Sequence, residues 1–308
     1  MGEHIPVLLN EVIANLNIKS DGVYLDFTIG RGGHSSHILS KLDKGYLIGF
    51  DQDITAIKES EINLSKINDK FTLIHDNFRH FEKTLEEKNI TYVDGILMDL
   101  GVSSPQFDEG SRGFSYKEDA ILDMRMNQEQ DLTAEKIVNS YSLEELTRIF
   151  KEYGDEKFSY SIAKNIVKAR QNAPIRTTSE LVEIIKRSKP MKVLAKEGHP
   201  AKQVFQALRI EVNDELNALT ETIHKALKYL RPHGGRLAII TFHSGEDKIV
   251  KEIFKSYSIT QGNRFDGPVL EKEKEYRLVN SKPIVATDEE LDINHRAKSA
   301  KLRVIERK

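Results

Sequence analysis

The chain has 308 residues, 39% hydrophobic and 31% charged, which predicts a globular protein of one large domain or two. Its formal net charge of -2 removes any global attraction to nucleic acid, so an RNA or DNA surface has to come from local clustering. The absence of cysteine excludes disulfides, thiolate zinc sites, iron–sulfur clusters and cysteine nucleophiles, and fits a reducing, cytoplasmic setting. No apolar run approaches the roughly 20 residues that span a bilayer. The N-terminus, with Glu3 and Glu11, lacks the basic-then-apolar pattern of a secretory signal, so no membrane partner is expected.

A short helix over 11–16 precedes a first strand, predicted at 23–28. Further strands are predicted at 46–50, 71–74 and 95–98, with a helix carrying Ile54, Ile57 and Ile62 after the second. Apolar strands alternating with helical segments predict a parallel sheet covered on both faces. After Asp99 a turn-rich loop begins, and 132–202 reads as helical, with Ser142 and Glu145 spaced as a capping box. From Phe205 to Leu230 apolar residues recur every three or four positions, predicting one long helix. A buried strand over 236–242 delivers His243 and Ser244, a helix with Ile249, Val250, Ile253 and Phe254 follows, and 301–306 reads as a final strand. The charged stretch 261–292 gives no clear pattern. The division this implies is 1–107 and 205–308 forming one α/β core, with 108–204 as a helical insertion.

The first strand runs into Gly30-Arg31-Gly32-Gly33-His34, followed by a helical pattern. Strand, glycine turn and helix start make a site for a nucleotide-like ligand. A dinucleotide fingerprint fails, because counting from Gly30 puts Ser35 where the third glycine belongs, and no P-loop pattern exists. S-adenosylmethionine remains. Asp26 precedes the glycines, and Asp51 ends the neighbouring strand, where a carboxylate accepts from two ribose hydroxyls. Asp99 ends the strand across the same crevice. Without cysteine, methylation through a covalent cysteine adduct or a bound cluster is excluded, and direct attack by nitrogen or oxygen on the methyl sulfonium is left. The loop Ser103-Ser104-Pro105-Gln106-Phe107 could hold an amine in line with the methyl through carbonyls and hydroxyls, or be an ordinary turn. His243 either orients the acceptor, takes the released proton, or is structural.

A set of motifs runs through the chain: His4-x-Pro6-Val7-Leu8-Leu9-x-Glu11-Val12, Gly30 to Ser35, Asp99 to Gln106, Arg112-Gly113-Phe114-Ser115 and Leu122 to Met126. Further along come His199 to Lys202, Phe205 to Leu216, Thr241 to Ser244 and Ser299 to Val304, so the set spans nearly the whole chain. On these motifs the chain resembles the bacterial 16S ribosomal RNA cytidine N4-methyltransferases of the small-subunit methyltransferase H family. The resemblance implies a Rossmann-like, S-adenosylmethionine-dependent methyltransferase sheet with a helical insertion domain. It implies cofactor contacts at Gly32, Gly33, His34, Asp51, Phe78, Asp99 and Gln106, catalytic roles for Ser103, Ser104, Pro105 and His243, and no metal. Its substrate would be 16S rRNA within the small ribosomal subunit; the oligomeric state stays open, a homodimer being one option. Four positions depart from the family's usual residues: Asn127 for Asp, Gln203 for a basic residue, Gly245 for Leu and His295 for Pro.

Two stretches are locally basic: 176–209 has eight Lys/Arg against three Asp/Glu, and 295–308 has six against one. The first lies in the insertion and is expected to dock RNA phosphates, with Phe107, Phe114 and Tyr116 as candidates to stack on an extruded base. Asp123 and Arg125 either line the mouth of the site or pair between insertion and core. A DNA amino-methyltransferase and a non-catalytic ribosome-assembly factor are the competing readings.

Overall fold

The computed structural model describes residues 5–101, 112–195, 198–258 and 274–308. Five apolar runs form parallel strands: β1 (Val23–Asp26), β2 (Tyr46–Asp51), β3 (Phe71–His75), β4 (Gly95–Asp99) and β5 (Arg236–Thr241). β6 (Tyr276–Leu278) and β7 (Lys301–Arg307) complete the sheet, with β7 antiparallel to both β5 and β6. Among the described residues the strand order is β3-β2-β1-β4-β5-β7-β6. The order turns back between β1 and β4, which opens a crevice at the carboxyl ends of the strands.

The helices α1 (Leu9–Leu16), α2 (Gly33–Leu39), α3 (Ile54–Leu64) and α4 (Phe81–Glu87) precede β4. Next come α5 (Ala134–Ser140), α6 (Leu143–Glu152), α7 (Ser159–Arg170), α8 (Thr178–Arg187), α9 (Met191–Leu194) and α10 (Lys202–Asn213). The remaining helices are α11 (Glu215–Tyr229), α12 (Ser244–Ser258) and α13 (Asp288–Ile293).

Two compact units result: the described residues up to Gly101 with Leu216–Lys308, and those between Val102 and Glu215. In the first, period-two alternation sorts the strand side chains into two layers. Leu25, Phe27, Ile48, Phe50, Ile96, Met98, Leu237 and Ile239 pack with Phe81, Leu219, Ile223 and Phe254 from α4, α11 and α12. Tyr24, Leu47, Leu97, Ala238 and Ile240 pack with Leu16, Ile38, Leu39 and Leu64 from α1, α2 and α3. Each fully buried side chain of this kind contributes about 1.5–3 kcal/mol. Ile62, expected on the buried stripe of α3, is 62% exposed. The second unit is helical around Ile137, Phe150, Ile162, Leu181, Phe205 and Leu208. The Ser142–Glu145 capping box closes the start of α6, and Thr177–Glu180 forms another at α8.

The structure departs from the sequence reading at three places. The stripe from Phe205 to Leu230 is two helices, because Asp214 adopts a left-handed conformation (φ 51°) between them. Consequently α10 packs in the helical unit and the division falls at 215/216 instead of 204/205; the other expected boundary, 107/108, lies outside the described residues. Strand β6 and helix α13 lie in the stretch that gave no pattern.

Candidate functional site

All five parallel strands present their carboxyl ends at one edge of the sheet, and the residues singled out from the sequence gather there. Asp26 ends β1, Asp51 ends β2, Phe78 follows β3, Asp99 ends β4 and His243 follows β5. Ser103, Ser104, Pro105, Gln106 and Phe107 lie outside the described residues.

The glycine turn is fixed from both sides. Gly30 and Gly32 have positive φ (50° and 77°), which L side chains rarely adopt. At Gly33 a Cβ would come within 2.7 Å of Pro6 Cγ, so only glycine lets the N-terminal segment cross there. His34 Nε2 donates to the Val7 carbonyl (2.9 Å), holding the same segment down. That leaves His34 Nδ1 toward Asp99, at 3.6 Å from Oδ2. The His34 side chain is therefore committed to protein contacts, and it sits in the first turn of α2, the end of the helix that carries partial positive charge.

Three carboxyl groups shape the electrostatics. Asp26, 2% exposed, accepts from Ser35 Oγ (2.6 Å) and from the Thr28 N–H (3.1 Å). Burial pushes its pKa up to about 6 against those hydrogen bonds. Asp26 thus braces the turn from beneath and does not face a ligand. Ser35, whose presence broke the dinucleotide pattern, is the group that ties it to α2. Thr28 Oγ1 accepts from the Asp99 N–H (2.7 Å), joining the ends of β1 and β4.

Asp51 accepts from Gly30 N–H through Oδ2 (3.0 Å) and from Asp53 N–H through Oδ1 (2.9 Å). Each oxygen keeps a second lone pair, so two more donors fit. Burial raises Asp51 to about 6, with Asp53 and Asp26 adding repulsion. Asp99 is raised furthest, to about 8, by burial and by the nearby Asp26 and Glu246 carboxylates. Its Oδ1 is buried without a hydrogen-bond partner among the described residues. A buried acceptor in that condition is costly unless a donor or cation arrives.

Phe78 stacks one face on Phe27 (centroids 5.8 Å apart, 16° between planes) while remaining partly exposed. His243 occupies the N-cap of α12. Its Nδ1 accepts from the Glu246 N–H (3.4 Å), and Glu246 Oε2 accepts from the N–H groups of Phe242 (2.7 Å) and His243 (3.3 Å). An Nδ1 that accepts leaves the neutral ring's proton on Nε2, a buried atom with no hydrogen-bond partner among the described residues, although Glu246 Oε1 lies 3.2 Å away. Gly245 matters here: a Cβ would sit 3.1 Å from His243 Nδ1. Glu246 was not singled out from sequence, yet its position three residues after the cap is the capping-box signature.

Other expectations are revised. Asp123 and Arg125 pair with each other inside the helical unit (two contacts of 2.8 Å), and Arg125 also donates to the Gln128 and Gln130 carbonyls, which orders that loop. Phe114 is core, 3% exposed, and Tyr116 has His199 stacked on one face at 4.2 Å. In the basic stretch 176–209, Lys189 forms a buried ion pair with Glu156, and Arg209 pairs with Glu215. Within 295–308, Lys301 and Arg303 pair with Asp247, and Arg307 with Glu275. Those charges hold the fold together. Among the described residues no group of three or more His, Cys, Asp or Glu could hold a metal, and no helix is long and apolar enough to cross a membrane.

The arrangement suits S-adenosylmethionine: a glycine turn and helix start for a carboxylate, spare Asp51 lone pairs for ribose hydroxyls, and an Asp99 oxygen without a hydrogen-bond partner among the described residues for the cationic part. Sheet order, glycine turn and acidic strand ends define the chain as an S-adenosylmethionine-dependent methyltransferase with a Rossmann-like sheet. Residues 1–308 match the MraW methylase family throughout, and the chain belongs to that family. It is 52% identical over 312 residues to the ribosomal RNA small subunit methyltransferase H of Lactobacillus acidophilus, covering 99% of each chain. It is 49% identical over 308 residues to the protein of the same description in Limosilactobacillus fermentum, covering 99% of this chain and 98% of the relative. A solved rRNA methylase from Streptococcus thermophilus superimposes with a TM-score of 0.45 at 11% identity, covering 99% of each chain; the assignment rests on the sequence relatives.

Proposed function

We propose that this protein transfers a methyl group from S-adenosylmethionine to N4 of a cytidine in the decoding region of 16S rRNA, within the small ribosomal subunit and in the cytoplasm. The observation that carries the reading is a family match over the full chain, with about half the residues identical to relatives described as ribosomal RNA small subunit methyltransferase H.

Bound S-adenosylmethionine supplies a methyl group on a positively charged sulfur, open to direct displacement by a nitrogen lone pair. The chain's part is to hold, orient and polarise. Backbone N–H groups at Gly33 and His34, beside the turn at Gly32, receive a carboxylate. Asp51 accepts from ribose hydroxyls while its two existing hydrogen bonds fix its orientation. Phe78, backed by Phe27, presents an apolar edge to the adenine. Asp99 supplies negative charge where the ligand is positive, and Gln106 adds a polar contact.

A cytosine amine is a weak nucleophile because its lone pair is delocalised into the ring. Carbonyls and hydroxyls of Ser103, Ser104 and Pro105 accept from the N4 hydrogens and align the nitrogen with the methyl. His243, with its proton on Nε2, is a donor and so orients the base through one of its acceptors; as the N–C bond forms and the C–S bond breaks, the sulfur leaves as a neutral thioether and N4 loses one proton to water. The insertion, 108–204 with α10, recognises the RNA.

The test is transfer of labelled methyl to unmodified 30S subunits, with naked duplex DNA in parallel. Label in 16S rRNA and not in DNA is expected. Label in DNA alone, or none in rRNA from protein that binds S-adenosylmethionine by calorimetry, contradicts the proposal.

A further inference from the structure

Helix α7 stands apart from the other described helices. From Lys157 to Ser179 there are five Lys or Arg and no Asp or Glu. Among the described α-helices of more than four residues, α7 carries basic residues without any acidic one. Every other such helix is mixed, acidic or uncharged apart from histidine.

The charges are also sorted by face. Ser159, Ile162, Ala163 and Ile166 are buried. Tyr160, Lys164 and Lys168 are exposed, Tyr160 by 58%. At about 100° per residue, these three fall within about 80° of arc, opposite the buried side. Lys157, exposed, precedes the helix in line with the stripe, and Gln171, also exposed, caps its far end. The flank is built as well. Ser161 Oγ donates to the Ser188 carbonyl (3.1 Å) and Asn165 Nδ2 to Ser188 Oγ (2.8 Å), which brings the carboxyl end of α8 and the exposed Arg187 alongside. Lys164 and Lys168 are separated by about 6 Å along the axis, comparable with neighbouring phosphates on one nucleic-acid strand.

We propose that this face of α7, with Lys164 and Lys168 at its centre, Tyr160 and Lys157 at one end and Arg187 on the flank, is a docking surface for the phosphate backbone of 16S rRNA. The proposal rests on the rRNA methyltransferase reading above. It centres the RNA contact on α7 and keeps only Arg187 from the stretch 176–209, where Lys189 and Arg209 are held in ion pairs. The chemistry is a row of mobile ammonium groups that displace condensed counterions, with no acidic neighbour on the row to oppose them. Tyr160 supplies an open aromatic face, which a single-stranded base can stack upon.

The experiment compares the parent protein with Lys164→Gln/Lys168→Gln, and with Lys251→Gln/Lys255→Gln on the exposed face of α12 as a charge-matched control. Affinity for 16S rRNA is measured across a salt series, and methylation of unmodified 30S subunits is followed at fixed salt. The α7 double variant is expected to lower the slope of log affinity against log salt by about 1.4–1.8, two phosphate contacts' worth. It raises KM for 30S and leaves kcat and S-adenosylmethionine affinity unchanged; the α12 control behaves as the parent. Tyr160→Ala weakens RNA binding about fivefold or more, and Tyr160→Phe restores it. A parent that methylates 30S while the α7 variant keeps its slope and KM overturns the surface alone. Equal losses in the α12 control overturn it too, as would a raised KM for 30S with unchanged affinity for 16S rRNA, which would assign the face to a protein of the subunit. A parent that neither binds nor methylates rRNA overturns both this proposal and the reading beneath it.

Discussion

Removing charge from Asp99 by lowering the pH should separate two ligands that differ by a single positive charge. S-adenosylmethionine carries a sulfonium, whereas S-adenosylhomocysteine carries a neutral sulfur; both share the α-amino group, so its own titration cancels in the ratio of their affinities. Burial and the Asp26 and Glu246 carboxylates raise Asp99 to about 8. At pH 6 roughly 1% of such a group is ionised, and at pH 9 roughly 90%. One extra unit charge on the order of 8 Å from the carboxylate, at an effective dielectric of about 20, gains about 2 kcal/mol, or roughly thirtyfold. Calorimetry from pH 6 to 9 should therefore show the affinity ratio, sulfonium over neutral sulfur, rising by about one order of magnitude or more. Proton release should accompany binding of the cationic ligand, and Asp99→Asn should flatten the curve. The sign for the protein without ligand is opposite. Asp26, Asp51 and Asp99 hold protons in the folded state that the unfolded chain has already lost, so their contribution to stability is complete below pH about 4 and declines up to about 8. Asp99→Asn should accordingly stabilise the ligand-free protein at pH 8.5, by about 1–3 kcal/mol, and less at pH 5. A ratio independent of pH in the parent, or a slope that survives in Asp99→Asn, would refute the reasoning.

Asp51→Ala should weaken S-adenosylmethionine binding at least about tenfold, two lost hydrogen bonds to ribose, with the circular dichroism spectrum unchanged; unaltered affinity would remove Asp51 from the ribose. His243→Asn keeps an N-cap acceptor and should hold stability within about 0.5 kcal/mol, whereas His243→Ala should lose about 0.5–2 kcal/mol. Both should lower kcat/KM for 30S about 10- to 100-fold without affecting cofactor affinity, since each removes the Nε2 donor. Full activity in His243→Asn would reduce this histidine to a cap. Lys189→Ala strands Glu156 in the interior and should cost about 3–5 kcal/mol in urea unfolding, contrary to what a surface phosphate contact would do.

The α/β core was legible because buried parallel strands announce themselves as apolar runs, and the strand ends Asp26, Asp51 and Asp99 mark one edge of the sheet. What periodicity does not register is a single left-handed residue: Asp214 divides an unbroken three-and-four pattern and carries α10 into the helical unit. Short β6 was hidden because Tyr276–Leu278 needs only three residues and takes its register from β7. At the site, the residue types pointed to a place for a ligand but not to who holds whom. Asp26 and His34 both turn inward, the one to Ser35, the other to Val7. Glu246 was legible in principle from its spacing to His243. In the basic stretches a count of charges does not register partners: Lys189, Lys301 and Arg303 sit opposite carboxylates distant in sequence.

The identity of the methylated atom tests the account most directly. 16S rRNA taken from 30S subunits after reaction with the protein and labelled S-adenosylmethionine is digested to nucleosides and resolved by mass and retention. The account predicts that the label runs as N4-methylcytidine, from one cytidine of the decoding region. Label in 5-methylcytidine, in a ribose methyl or in another base would contradict it.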